Sequence, residues 1–268
     1  MSSELWKNKN YLLDIPYVIA HHIYEYDIQK ANINVLRELN IIDDEFYDRL
    51  SKMQRTQRQV EIGYLIKYNS GVGDKLAEGI LLFKKKFFEA NNIDDNDILS
   101  IKNDAVFLID KNPDITDFGR IHFIKKNSYT SYLKLLKNIE VYFEFNAIDC
   151  TISLDIKGIS DENLEKHHQY MATFIADVLY YIETGDISSA LTYVSEFYNN
   201  YIERKLHPGY YRNFNADSDY TIMANGIRYS TNYCDSANML NSLDISNNLE
   251  VIRTINGYLT QMYFMNNK

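Results

Sequence analysis

Proline and glycine are scarce in this chain, at 3 and 10 of 268 residues. With so few breakers, a linker-rich or low-complexity architecture is excluded, and no internal repeat replaces it. Cysteine occurs twice, at Cys150 and Cys234, with no ligand-like spacing. That excludes a disulfide framework or a cysteine zinc site, and fits two plain thiols in a reducing compartment. No apolar run approaches the ~18 residues that cross a bilayer, and no secretory leader opens the chain. The expectation is a soluble, cytoplasmic protein with no membrane partner. The G-x-S-x-G, H-E-x-x-H, P-loop and dinucleotide glycine patterns are also missing, which removes those routes to chemistry.

What is present is 46% hydrophobic and 24% charged, enough for a packed core. Tyrosine is abundant, at 23 residues, and Asn, Ile and Lys are frequent. Such a bias suits an AT-rich genome, and a viral source would put the protein in the host cytoplasm. Net charge is −9, so the surface as a whole is not built to grip nucleic acid. The charge is uneven, however. From Arg49 to Lys86, nine Lys/Arg face three acids (Glu61, Asp74, Glu78), a local +6 that leaves −15 elsewhere. A basic stripe on an acidic protein can serve phosphates, or can be a solvated helix face.

Hydrophobic periodicity orders the elements. "HIYEYD" (22–27) alternates as a strand and stops at Asp27. Ile33, Leu36 and Leu39 then keep helical spacing, and "NIIDDEF" separates that helix from another. Residues 54–68 read as helix and 68–74 as a turn. Leu76, Ile80, Phe83, Phe87 and Ala90 form one apolar face over 74–91, with Lys84 and Lys85 on the opposite side. "ILSIKNDAVFLI" (98–109) reads as a hairpin with Asp104 at its tip, because Asn and Asp tolerate tight-turn dihedrals. Strands follow at 119–125, 129–135, 139–146 and 150–156. A helix capped at Ser160 or Asp161 runs to about 183, a second follows, and a last helix spans 246–264. The fold class is α+β, with an antiparallel sheet carrying helices on one face and a helical C-terminal region. The expected domains are 1–158 and 159–268, with a boundary near Gly158.

Asp27 ends a strand and Asp104 tips a hairpin. Brought together on one sheet, two carboxylates are what Mg²⁺ or Mn²⁺ needs beside a substrate phosphate. The basic stripe lies between them in sequence. Each acid also has a plain reading: Asp27 as a helix N-cap, Asp104 as a turn residue. His21-His22 and His167-His168 diverge on a strand and a helix, so neither pair chelates one ion. Tyrosines over 170–211 keep helical spacing with Ile, Leu and Phe, as core residues do.

"YEYDIQKANINVL" resembles the first palm motif of B-family DNA polymerases, and "ILSIKNDAVFLI" resembles their hairpin motif. "KYNSGVGDKLAEGI" is similar to the intervening Lys…Asn-Ser motif, and "LDIKGI" to a later Lys-Gly strand. The resemblance covers about residues 20–158 and implies a palm followed by a thumb-like region. It implies metal-binding catalytic roles for Asp27 and Asp104. Lys67, Asn69, Ser70, Arg58 and Lys102 would line the triphosphate site, with Mg²⁺ or Mn²⁺ as cofactor. Nucleic acid and dNTP would be bound through residues 49–86, and a replication protein is a further partner. Lys102 and Asn103 stand where the family has its first hairpin Asp and a Thr. The implied activity is a nucleotidyltransferase; the alternatives are a non-catalytic phage interaction protein on the same fold, and an unrelated structural protein.

Overall fold

The computed structural model describes residues 2–136, 139–146, 148, 151–159, 169–211, 221–224, 227–230 and 242–266. Cys150, the Ser160/Asp161 cap, His167-His168 and Cys234 lie outside the described residues. The fold is α+β. In chain order the strands are β1 (Asn10–Leu12), β2 (Tyr17–Val18), β3 (Ile23–Ile28), β4 (Ile98–Lys102), β5 (Ala105–Ile109) and β6 (Asp117–Phe118). Then come β7 (Ile121–Tyr129), β8 (Ser131–Leu136), β9 (Ile139–Asn146), β10 (Thr151–Lys157), β11 (Thr221–Ala224) and β12 (Ile227–Ser230). The described α-helices are α1 (Ala31–Glu38), α2 (Asp44–Ser51), α3 (Arg55–Tyr68), α4 (Val72–Ala90), α5 (Gln169–Glu183), α6 (Ile187–Ile202) and α7 (Ser242–Asn266).

Contacts divide the chain into two units, 1–14 with 21–128 and 15–20 with 129–268. The division at 128/129 departs from the expected boundary near Gly158. Its physical reason is a shared core: Leu133 and Leu135 of β8, Val141 and Phe143 of β9, and Ile156 of β10 pack with Phe174, Val178, Val194 and Phe197 of α5 and α6. These strands therefore belong with the C-terminal helices.

The first unit holds a six-stranded sheet in the order β1-β4-β5-β3-β7-β6. Strands β3 and β5 are antiparallel, with Tyr26 opposite Val106, and β4 and β5 form the hairpin, with Lys102 opposite Ala105. Tyr26 and Ile28 of β3, Val106 and Leu108 of β5, and Ile121 and Phe123 of β7 share one core with Leu36 of α1 and Phe83, Phe87 and Phe88 of α4. The Phe87 and Phe123 rings stack at 4.1 Å. Because strand side chains alternate, the same strands turn Asp27, Phe107, Ile124 and Lys126 to the other face. The chain thus puts one face of the sheet under helices and leaves the acids on the second.

Helix α4 corrects one expectation. Its apolar face carries Leu76, Phe83 and Phe87 as read, but Lys84 is fully buried too, and its Nζ donates to the Asn8 carbonyl at 2.8 Å. The two lysines that follow, Lys85 and Lys86, are the ones that reach the exterior. In the second unit, β10-β9-β8-β2 form an antiparallel sheet. Tyr201 and Tyr211 are buried among its helices, and Phe174 stacks on Phe197 at 4.0 Å, so the tyrosine-rich stretch is core as expected.

Helices α1 and α4 meet at Gly79. A Cβ there would lie 2.5 Å from Val35 Cγ1 and 2.7 Å from Leu39 Cδ1. Gly79→Ala should therefore destabilise the protein by about 1–3 kcal/mol in urea denaturation. Gly63, mid-α3 with nothing within 4 Å of a new Cβ, is the control. There alanine should stabilise by about 0.5–1 kcal/mol. Equal effects at the two positions would contradict the close helix crossing.

Candidate functional site

Asp27 is the fifth residue of the six in β3, and Asp104 follows Asn103 in the two-residue turn of the β4–β5 hairpin. Asn103 takes the left-handed conformation (φ +56°) that closes this turn. Asp104 does not, so the turn's backbone does not demand an acid there. Nor is Asp27 a helix cap. The residue before α1 is Lys30, at φ +48°, and it makes no side-chain cap. The strand-to-helix corner is instead held by Asn34, buried in α1. Its Nδ2 donates to the Gln29 carbonyl at 2.6 Å and its Oδ1 accepts from Tyr47 Oη at 2.9 Å.

Held this way, the two carboxyls meet. Burial, then the charge of Asp27 and a hydrogen bond with it, push the Asp104 carboxyl up to about 6; the Asp104 backbone N–H and Lys126 pull back against them. Asp27 Oδ1 is buried and receives no N–H or O–H of ordinary geometry from the protein. The other Asp27 oxygen is ion-paired with Lys126 of β7. Burial draws the Lys126 ammonium down, but the bond to Asp27 and the charges of Asp27, Glu25 and Asp104 outweigh it, leaving it above the ordinary lysine value. Buried Lys84 is lowered to about 8 by desolvation, opposed by the charge of Asp104.

The pair lines a cavity of about 230 Å³. Its walls include the Gln29–Ile33 corner, Lys126 and, from α3, Arg55, Arg58 and Gln59. Of the residues expected at the site, Asp27, Asp104 and Arg58 come together here. Arg58 Nη1 also donates to the Met53 carbonyl at 3.3 Å. Lys67, Asn69, Ser70 and Lys102 line no wall of this cavity. Lys67 lies over the Tyr68 ring at 5.4 Å, and Asn69 ends α3 by donating to the Leu65 carbonyl at 2.9 Å. Ser70 is exposed in the turn before Gly71, and Lys102 lies over Phe107 at 5.9 Å. Their places follow from α3, which turns its first two turns, not its last, toward the acids.

Lys126, Arg55 and Gln59 were not singled out by the sequence. Alternation in "IHFIKK" does put Lys126 on the face away from Ile121 and Phe123. The adjacency of β7 to β3 is what sequence lacks. As a donor set, the two carboxylates with one unserved buried oxygen fit a hard divalent cation, whose remaining ligands would be water and phosphate. Among the described residues no third His, Cys, Asp or Glu completes a cluster with them.

A protein-family model described as "Bacteriophage PBS1 gene 130 protein" matches residues 1–260. No curated protein matches the chain.

The contact of the two carboxyls has a thermodynamic signature. The unfolded Asp104 carboxyl ionises near 3.8 and the folded one near 6. The folded chain holds the extra proton between these values, so the group's stabilisation is complete below about pH 4 and lost as pH rises through about 6. Asp104→Asn removes that loss. Relative to wild type, its stability should climb by about 1–2 kcal/mol from pH 4 to pH 8, after allowance for solvent screening. Urea melts across this range measure it; a flat difference would mean the carboxyls do not touch.

Proposed function

We propose that this chain, which belongs to the bacteriophage PBS1 gene 130 protein family, is a metal-dependent nucleotidyltransferase of the DNA-polymerase palm type. It would add nucleotides to a nucleic-acid 3′ end in the cytoplasm of the infected cell. The observation that carries the reading is the contact of Asp27 and Asp104, delivered from separate strands into one cavity that also receives two arginines. A sheet gains nothing in stability from placing like charges together. Such pairs are kept where a cation and a substrate need them.

In this reading Asp27 and Asp104 would hold the metal. When bound, Mg²⁺ or Mn²⁺ would supply the charge that activates an attacking 3′ hydroxyl and neutralises a departing pyrophosphate. Arg55 and Arg58, one helical turn apart on α3, bind the polyphosphate oxygens, for which the guanidinium fork is suited. Gln59 adds a neutral donor beside them. Lys126 keeps Asp27 oriented before substrate enters, and once displaced its ammonium is free to face phosphate. The Gln29–Ile33 corner, fixed by Asn34, closes the wall under the sugar or base.

A second reading has its own observation. Lys126 already neutralises Asp27, and Lys102 stands where the resembled family carries another acid. An ion pair that satisfies the site without a metal is what a non-catalytic interaction protein on this scaffold would keep.

Primer extension with Mg²⁺ or Mn²⁺ and all four dNTPs separates the two. Metal-dependent extension by the wild type, reduced at least a hundredfold in both Asp27→Asn and Asp104→Asn, is expected for the enzyme on the usual scale of lost transition-state charge stabilisation. Folded wild type with no extension would leave the interaction protein. Calorimetric titration with Mn²⁺ adds a readout independent of turnover. Lys126→Met should bind the ion about tenfold more tightly than wild type, because the competing ammonium is gone. Absence of Mn²⁺ binding in both proteins would remove the metal from the reading.

A further inference from the structure

Helix α3 has a second face. Arg55, Arg58 and Gln59 turn toward the carboxylates, while Val60, Tyr64 and Tyr68 lie at i, i+4 and i+8 along the exterior. They are 50%, 52% and 71% exposed. A helix in a globular core hides such a stripe. Here the buried residue of α3 is Ile62, on another side.

The two tyrosine rings are arranged as a step. Their planes are within 19° of parallel, with centroids 6.2 Å apart. The Lys67 ammonium lies over the Tyr68 ring at 5.4 Å. The helix carries Arg55, Arg58 and Lys67 against one acid, Glu61, which faces Arg49 at 3.9 Å. It sits in the +6 span of a chain whose net charge is −9.

We propose that this face of α3 is a stacking platform for single-stranded DNA, which reaches the Asp27–Asp104 cavity along the same helix. The inference rests on the nucleotidyltransferase reading for its choice of DNA, and on the geometry for its choice of a single strand. Flat aromatic faces beside cations are how proteins hold unpaired bases and their phosphates without reading sequence. A duplex hides its base faces and offers nothing for Tyr64 and Tyr68 to stack on. A purely apolar protein partner would match Val60 but would have to bury the Lys67 charge.

The test is a fluorescence-anisotropy titration of labelled oligo(dT) with the full chain, in EDTA so that binding is independent of any metal. Wild type should bind, more weakly as salt is raised. The double variant Tyr64→Ala/Tyr68→Ala should lose at least about tenfold in affinity. Tyr64→Phe/Tyr68→Phe keeps the ring faces and should bind like wild type. All four substitutions are on an exposed face, and circular dichroism checks that the helix is retained. Unchanged affinity in the alanine variant overturns the platform. Tighter binding of oligo(rU) than of oligo(dT) overturns the assignment to DNA. Wild type that binds neither oligonucleotide overturns the inference and gives the face to a protein partner. Wild type that binds oligo(dT) but extends no primer would count against the enzyme and not against the platform.

Discussion

Two carboxylates in contact within a half-buried cleft repel, and each has lost part of the water that would have screened it. The first unit is organised around satisfying that contact. Asp104 keeps a proton to about pH 6, Lys126 pairs with Asp27 from the neighbouring β7, and the Lys84 ammonium lies near enough to feel Asp104 from beneath. Lys84 is itself a buried cation, tolerable because the Asn8 carbonyl accepts its hydrogen bond. The site is thus a set of opposed charges whose members come from β3, β4–β5, β7 and α4. Removing one leaves another buried and uncompensated, which couples the folding of these elements to the electrostatics of the cleft.

The geometry depends on polar residues that carry no charge. Asn34 spans the corner after β3, where Lys30 adopts a left-handed conformation, and so fixes how the chain leaves Asp27. Asn103 does the equivalent for Asp104 by closing the hairpin. The β4–β5 register shifts between Ile98 and Ser100, a bulge that adds twist at the end of the hairpin away from the turn. These features position the carboxyls before any ligand arrives, which is what a site gains from being mounted on a sheet rather than a loop.

Much of this was legible in the sequence, for identifiable reasons. The hairpin announced itself through two short apolar runs about Asn103-Asp104. Helix α4 did so through its regular apolar spacing, observed over Val72–Ala90. The Asp27 strand was marked by alternation that stops. Local pattern fails where the decisive fact is which distant strands become neighbours. The pairing of β7 with β3 brings Lys126 to Asp27, and no local rule contains it. Lys84 was misplaced because its charge argued for the outside, whereas one carbonyl, 76 residues away in sequence, made the inside acceptable. Lys67, Asn69 and Ser70 share a turn with the expected motif, but the pitch of α3 carries its N-terminal end to the cavity. The boundary near Gly158 failed similarly, since β8, β9 and β10 found their hydrophobic partners in α5 and α6.

Helix α3 has one buried side chain, Ile62, with Leu65 partly buried beside it. A helix of 14 residues standing on so small a footing opens at far less free energy than the core strands it serves. Its amides should trade hydrogen with solvent well before those of β3, β5 or α4. The two arginines of the cleft therefore ride on a lightly anchored helix. The carboxylates opposite them are set on the sheet that packs the core of the unit. Anything anionic that bridges the two would draw its stabilisation of the whole fold from ordering that one helix.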